Sequence, residues 1–444
     1  MGTRTFVDEC MNLLTANDEQ GQYPPSYYAD TVSQLPLQPP LKGDHKADIV
    51  IVGAGFTGLS AALHLAKRGY DVRVLDAHRI GFGASGRNGG QVGSGQRVEQ
   101  DRLEKTYGMD KARQLWGLAE DAKALVKSLI KTHKIDCHYK PGIAHTCWRQ
   151  SEVDDDHRYV EKLQREYNYN HIEACDRDTI HEMIGSPVYQ GGSVDHDAGH
   201  LHPLAYVLGL GRAALAAGVT IYENSMVRRI IEGKTPSVMT DTGAIHADHL
   251  ILACNGYLGA LNKPVARRVM PINNFIVATA PLADAAPAIL ASDIAVADSK
   301  FVLNYFRRSH DNRLIFGGGE NVSYRFPKDI RAMVSKPLFN VFPQIKGIPL
   351  DYAWGGTLAI TVNRMPCFMR LNGNVMSASG YSGHGVAMAS LAGKLLAEAT
   401  AGVSEGFDCM AGLNVPRFPG GDMLRWPSLV IGMNWYMLRD KLGF

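Results

Sequence analysis

Gly53, Gly55 and Gly58 stand at the spacing GxGxxG, and Asp76 follows Gly58 by 18 positions. Residues of these types at this spacing suit the holding of a dinucleotide. Gly53 allows a tight turn, Gly55 lets backbone approach a pyrophosphate, and Gly58 lets a helix pack closely on a strand. The helix N-terminus offers free N–H groups and partial positive charge to the phosphates. An acid about 20 residues on accepts from a ribose hydroxyl. Its charge repels a 2′-phosphate, so Asp76 points to FAD or NAD rather than NADP. Alone, the motif is weak; its setting carries the reading. Ile49 to Val52 is a β-branched run suited to a strand buried on both faces. Leu59, Ala62, Leu63 and Ala66 recur at helical spacing, Gly69 stops the helix, and Val72, Val74 and Leu75 form a second strand ending at Asp76.

Two more stretches could touch a ligand. Residues 79–93 hold six glycines in fifteen positions. Such a loop, with Ser85, Arg87 and Asn88, can wrap a flat polar group; otherwise it is a long mobile loop. Arg87 pairs with a ligand or a substrate carboxylate, or ties down its own loop. Near the other end, Gly380-Tyr381-Ser382-Gly383-His384-Gly385 enters a small-residue helix running to Thr400. That is a second anion site at a helix N-terminus. His384 is there a ring contact or a turn residue. Tyr305, Trp354 and Tyr381 form an amine-binding aromatic wall or sit in the core. His384, Tyr381 and Trp354 are the catalytic candidates. His196, His200 and His202 cluster before Pro203 without a standard zinc spacing, so a pocket-lining loop is expected there and no metal site.

These stretches need a large scaffold. The 444 residues allow two to three domains. Hydrophobic content of 45%, 20% charged residues and a net charge of +2 describe an ordinary globular chain, without the footprint of a nucleic-acid binder. Seven scattered cysteines with no CxxC pair suit a reducing cytoplasm. The first twenty residues lack a secretory pattern, and no apolar run is long enough to span a membrane. Residues 1–45 read as a proline-rich arm lying over the body. Residues 101–135 read as one long helix, 135–150 as strands, and 151–183 as charged and helical. The segment 249–257 is a buried strand running into a polar turn, and 265–350 alternates like an antiparallel sheet.

Ligand contacts thus recur at both ends of the chain around an inserted β-rich lobe, which suits a flavoprotein better than a dehydrogenase with a continuous nucleotide domain. The expected fold is α/β (α+β overall), a Rossmann-like FAD-binding domain interleaved with an antiparallel-sheet substrate domain. The boundaries drawn are an arm at 1–45; the FAD domain at 46–125, 195–262 and 352–404; the substrate domain at 126–194 and 263–351; and a tail at 405–444.

The chain resembles the D-amino-acid oxidase superfamily of FAD-dependent oxidoreductases and, within it, the bacterial gamma-glutamylputrescine oxidase group. The stretches that carry the resemblance are RIGFGASGRNGGQ (79–91), YGMD (107–110), GHLHP (199–203), DNRLIFGGG (311–319), GYSGHGV (380–386) and FPGGDMLR (418–425), within a likeness running from SYYADT at residue 26 to the closing RDKLGF. The resemblance implies a soluble flavoenzyme oxidising the C–N bond of a small-molecule amine, with oxygen or another acceptor taking the electrons. It implies that Gly53, Gly55, Gly58 and Asp76 hold the ADP half of FAD, and that Ser85, Arg87, Asn88 and Gly90 lie along the flavin. It places Val227 at the adenine, Asn255 and Gly256 near the pyrophosphate, and Gly380, Ser382, Gly383, His384 and Gly385 at the pyrimidine end. Gly356 stands where some relatives carry a flavin-linking cysteine, with Cys367 nearby but elsewhere, so non-covalent FAD is implied. Ile315 stands where some relatives use a lysine to activate oxygen. An amine oxidase comes first, a dehydrogenase or oxidase of another N-substituted or D-amino acid second, and a nucleotide-binding regulator third. The sequence carries no signal of oligomeric state.

Overall fold

The computed structural model describes residues 12–282, 289–321 and 323–419. Residues 1–11 of the arm, the tail from 420 and most of the FPGGDMLR stretch lie outside the described residues. A one-turn helix α1 (Tyr27–Asp30), capped by Ser26, leads to β1 (Gly43–Val52), α2 (Phe56–Ala66), β2 (Val72–Leu75) and β3 (Gln91–Val92). Next come α3 (Gln100–Tyr107), α4 (Met109–Thr132), β4 (Lys140–Cys147), α5 (Gln150–Tyr167), β5 (Ile172–Cys175), α6 (Arg177–Ile184) and β6 (Gly191–His200). They are followed by α7 (Pro203–Ala216), β7 (Thr220–Tyr222), β8 (Arg229–Ile231), β9 (Ser237–Met239), β10 (Gly243–Leu252) and α8 (Lys263–Ala266). The chain continues through β11 (Met270–Thr279), β12 (Ala295–Asp298), β13 (Tyr305–Arg308), β14 (Leu314–Asn321), α9 (Ile330–Val341) and β15 (Leu350–Ile360). It closes with β16 (Cys367–Asn372), β17 (Val375–Ser379), α10 (Gly385–Thr400) and α11 (Glu405–Ala411).

The strands form two sheets. The first runs β16-β17-β10-β1-β2-β7, with β8 and β9 added beside β10. Its centre is parallel: Ile51 pairs with Ile251 on one side and Val74 on the other. Ile49, Val50 and Ile51 are fully buried, as expected of a strand covered on both faces. The second sheet runs β15-β11-β14-β13-β12-β4-β6-β3, with β5 beside β6. It is antiparallel except where β12 meets β4. This α/β architecture is the expected fold class. The boundaries drawn at 195 and 352 fall inside β6 and β15, two strands of the second sheet.

Three local expectations differ from the structure. The long helix is two helices, because Gly108 at φ +83° stops α3 before α4 begins. The charged segment 151–183 contains β5, which pairs with β6 and so is set by the sheet rather than by local helical pattern. The histidine-rich segment is not a loop: His196 and His200 lie on β6, and His202 caps α7 by accepting from the Ala205 N–H at 3.1 Å. Their side chains separate accordingly. His196 pairs with Glu173, and His200 Nε2 bonds the Asp293 carbonyl.

The two distant glycine turns meet because α10 lies directly on α2. A Cβ on Gly393 would come within 2.4 Å of the Thr57 carbonyl oxygen and 2.6 Å of Ser60 Cβ. Ser60 Oγ donates to the Ser390 carbonyl at 2.6 Å. The described part of the arm packs against the body, with Tyr27 and Tyr28 buried. Among the described residues no single helix is long and apolar enough to cross a membrane.

Candidate active site

The turn after β1 is built for close approach. Gly53 adopts φ +108°, where a side chain is strained, and a Cβ there would meet the Ala253 carbonyl oxygen at 2.7 Å. A Cβ on Gly58 would lie 1.8 Å from the Gly53 carbonyl oxygen, so only glycine seats α2 on β1. Asp76, at the end of β2, accepts from the Ala54 N–H at 2.8 Å and the His78 N–H at 2.9 Å. Burial pushes its carboxyl up to about 6, against the pull of those two amides. Ser85 Oγ accepts from the Phe56 N–H at 3.0 Å, tying the glycine-rich loop to the start of α2.

Within that loop, Asn88 bonds the carbonyls of Ala84 and Ser85 and accepts from the Gly90 N–H. Arg87 is fixed on several sides. It donates to the Phe82 carbonyl at 2.7 Å, to both Asp18 carboxylate oxygens at 3.0 Å, and stacks over the Phe82 ring at 4.4 Å. Asp18 belongs to the arm, so Arg87 ties the loop to a distant segment as well as to its neighbours. His78 holds the same arm: its Nδ1 accepts from the Gly21 N–H at 3.0 Å, and its Nε2 donates to the Leu14 carbonyl at 2.7 Å.

The second turn is held by Asn255, which sits at φ +47° after β10 and accepts from the Gly380 N–H at 2.9 Å. The Ser382 N–H donates to the Ala359 carbonyl and the His384 N–H to the Tyr381 carbonyl. Gly383, at φ +91°, has open space where a Cβ would stand. First-turn amides of a helix have no intrahelical partner, so the start of α10 directs N–H groups and partial positive charge into this space.

One cavity of about 810 Å³ joins both turns. Of the residues singled out in the sequence, Gly53, Gly55, Asp76, Ser85, Arg87, Asn88, Gly90, Val227, Asn255, Tyr381, Ser382, Gly383 and Gly385 line it. Gly58, Gly256 and Gly380 stand behind the wall and shape it; a Cβ on Gly256 would meet the Leu358 carbonyl oxygen at 2.9 Å.

Two of the three catalytic candidates are off the wall. Trp354 is buried behind it, donating Nε1–H to the Arg87 carbonyl at 3.0 Å and packing edge-on to Tyr28. His384 packs against Gly93, whose Cβ would meet its Cε1 at 2.8 Å. Burial, helped by the Arg97 charge, pushes the His384 imidazole down to about 4, so it is neutral at pH 7. Tyr381 lines the cavity, but its hydroxyl is engaged 2.6 Å from Thr57 Oγ1. Tyr305 lines the cavity with its hydroxyl on Asn274. Gly356 lines it too and offers no thiol, Cys367 is buried on β16, and Cys254 is the cavity's cysteine among the described residues.

Sequence reading missed part of the wall. Arg97, Glu99, Arg102, Lys300 and Arg364 all line the cavity. Arg97, Glu99 and Arg102 come from one stretch, Lys300 and Arg364 from two others, and they share no motif. Burial raises the Glu99 carboxyl above its ordinary range, partly offset by His145.

The FAD dependent oxidoreductase family (DAO) matches residues 48–399. The chain belongs to this family. It is 40% identical to the probable oxidoreductase OrdL of Rhizobium meliloti, over 94% of this chain and 97% of that one. Identity is also 40% to the gamma-glutamylputrescine oxidoreductase of Escherichia coli, over 94% of this chain and 98% of the relative. The fold is similar to that of glycine oxidase from Geobacillus kaustophilus, with a TM-score of 0.67 at 20% identity, covering 80% of this chain and 95% of the other.

FAD is therefore the cofactor, and the cavity fits it. Two glycine turns at helix N-termini face one space; Gly53 and Gly55 line it, and a Cβ on Gly55 would meet Ser85 Oγ of the facing loop at 2.8 Å. Arg87 Nη2 is buried without a protein partner and has a hydrogen bond left to give.

Proposed function

We propose that this flavoenzyme oxidises a C–N bond of gamma-glutamylputrescine or a related polyamine conjugate. The observation that carries the reading is the 40% identity, across nearly the full length of both chains, to the Escherichia coli enzyme of that name. The cofactor roles assigned to the cavity-lining residues above, and the Tyr381 ring as a wall of the reaction space, belong to the same reading.

FAD, held by the turn at 53–55, Asp76, the loop at 85–90 and the turn at 382–385, would supply the hydride acceptor and the route for the electrons to oxygen as peroxide, while water hydrolyses the substrate imine to an aldehyde. The chain's residues do the rest. The first turn of α10, with Gly383 and Gly385 on the wall, favours negative charge at that end of the cavity. Desolvation in the cavity disfavours an ammonium and so delivers the amine neutral. Tyr305 and Phe301 offer aromatic surface to the amine end. Arg97, Arg102, Lys300 and Arg364 beside Glu99 suit a substrate that carries both a carboxylate and an amine. The six described cysteines are unpaired, which supports a reducing, cytoplasmic setting.

A second reading, a dehydrogenase or oxidase of another N-substituted or D-amino acid that uses a different acceptor, is favoured by Ile315 at the position discussed above, buried on β14. Peroxide release with gamma-glutamylputrescine in air is compared with dye reduction under nitrogen. Stoichiometric peroxide supports the first reading. Dye reduction without peroxide supports a different acceptor, and absence of flavin bleaching by this amine, with bleaching by another, removes the proposed substrate.

A further inference from the structure

The second sheet carries a side-chain cluster that the cofactor cavity does not use. His145 and Cys147 are two residues apart on β4, so both side chains leave the same face of the sheet. α5 covers that face and brings Asp156 down onto them. Asp156 Oδ1 lies 2.8 Å from His145 Nδ1, and one ligand atom from each of the three residues falls within 4.8 Å of the other two. The helix can sit this low because β6, paired with β4, presents Gly191 to it, while Gly192 lets the two strands approach closely. A Cβ on Gly191 would meet Val153 Cγ1 of α5 at 2.9 Å, and one on Gly192 the His145 carbonyl oxygen at 2.0 Å.

The polar accounting of this cluster is incomplete. The Asp156 side chain is 9% exposed, and its Oδ2 is buried with no hydrogen-bond partner. A carboxylate oxygen in that position costs free energy unless a donor or a cation meets it. Cys147 is fully buried, while the His145 side chain is 47% exposed and leaves a path from solvent. Neighbouring groups are committed elsewhere. Glu152 accepts from Ser299 and from the Trp148 and Arg149 N–H groups, and His157 faces the carbonyls of Cys175 and Gly192.

Thiolate, imidazole and carboxylate together are the donors that zinc takes, whereas calcium and magnesium take oxygen alone. We propose that His145, Cys147 and Asp156 bind one divalent transition-metal ion of the zinc class, with water completing the tetrahedron on the His145 side. The ion clips α5 to β4. Binding replaces the Cys147 S–H bond with a metal–sulfur bond and releases that proton to solvent, and the His145 Nδ1 proton that faces Asp156 moves to Nε2 or to solvent so that Nδ1 can bind the ion.

The FAD-loaded enzyme, stripped with a chelator and desalted, is titrated with Zn²⁺ against a chromogenic chelator, and separately with Co²⁺. One Zn²⁺ binds per chain, and Co²⁺ gives tetrahedral ligand-field absorption to the red of the flavin bands. Cys147→Ser and His145→Gln each weaken Zn²⁺ by about 100-fold or more, since loss of an outer partner alone costs 10- to 100-fold. His196→Gln, at an exposed pair with Glu173, leaves binding unchanged. Absence of stoichiometric binding, or equal binding by the wild type and both ligand variants, overturns the site and leaves an ordinary histidine–aspartate pair over a buried thiol. Should Cys147→Ser lose its flavin, the half-exposed His145→Gln decides the matter alone.

Discussion

The hydroxyls of Thr57 and Tyr381 lie 2.6 Å apart across 324 positions of chain, joining the first turn of α2 to the turn that begins α10. Both are largely buried, at 5% and 6% exposure, at the edge of the cofactor cavity. Tyr381→Phe removes one side of the pair and leaves Thr57 to find another acceptor, at about 1 kcal/mol. Thr57→Val strands the tyrosine hydroxyl and costs more, about 1–3 kcal/mol. The double variant costs less than the two singles together, a coupling that unfolding in urea measures. If Tyr381→Phe lowers kcat tenfold while stability is unchanged, its hydroxyl acts on substrate rather than as a clamp.

Arg87 and Asp18 form an ion pair whose side chains are 1% and 7% exposed. Breaking a buried pair by removing one partner costs about 3–5 kcal/mol, because the remaining charge stays buried. Asp18→Asn is therefore expected to lower the melting temperature and loosen the glycine-rich loop. FAD should dissociate faster from this variant, although Asp18 is absent from the cavity wall. Flavin fluorescence released on dilution measures this; unchanged retention shows that the arm does not support the loop.

The strand–turn–helix–strand unit is legible in the sequence because each of its signals is local. Gly53 needs a positive φ, Gly58 faces backbone, and Asp76 ends its strand. The direction of a side chain is not local. His384 leaves a turn in which both Ser382 and Gly383 have positive φ, and its ring settles against Gly93, a residue of another loop. Trp354 follows the alternation of β15, so its burial depends on a register with β11 that pattern alone does not fix. Arg97 and Glu99 reach the same cavity as Lys300 and Arg364 from segments about 200 positions away or more, a meeting that no local pattern announces. The long helix read across 101–135 fails at Gly108 for the opposite reason: its apolar periodicity is real on both sides, and one glycine outweighs it.

Gly58 offers the sharpest steric test. An alanine Cβ would stand 1.8 Å from the Gly53 carbonyl oxygen, and this neighbour is backbone that cannot rotate away. Relief requires α2 to lift from β1, which carries the Gly55 turn with it. Overpacking of this kind costs about 1–3 kcal/mol and here reaches the upper end. Gly58→Ala is expected to purify with reduced FAD content and a lower melting temperature. Gly55→Val, placed on the cavity wall, should abolish flavin retention by blocking the pyrophosphate. Full flavin occupancy in Gly55→Val would falsify the placement of the dinucleotide.

Stability should fall steeply with acid. Burial pushes His200 and His202 down to about 3 and His384 to about 4, against 6.5 when unfolded. Below pH 6.5 the unfolded chain takes up these protons and the folded chain does not. The histidines' contribution is thus complete above 6.5 and is lost as pH falls towards 4 and 3, at up to about 1.4 kcal/mol per unit for each. Asp76 works the other way: its carboxyl, raised from 3.8 to about 6, makes folding more favourable as pH falls through that interval. Glu99, Glu120 and Asp298 are raised by burial as Asp76 is, but His64, His78, His133 and His138 are lowered like the other three histidines, so the histidines set the sign of the net slope. Urea midpoints of the FAD-free protein should therefore drop from pH 7.5 to 5.5, less steeply in His200→Asn and more steeply in Asp76→Asn. A midpoint that is flat over this range would mean that these imidazoles already carry protons in the folded chain.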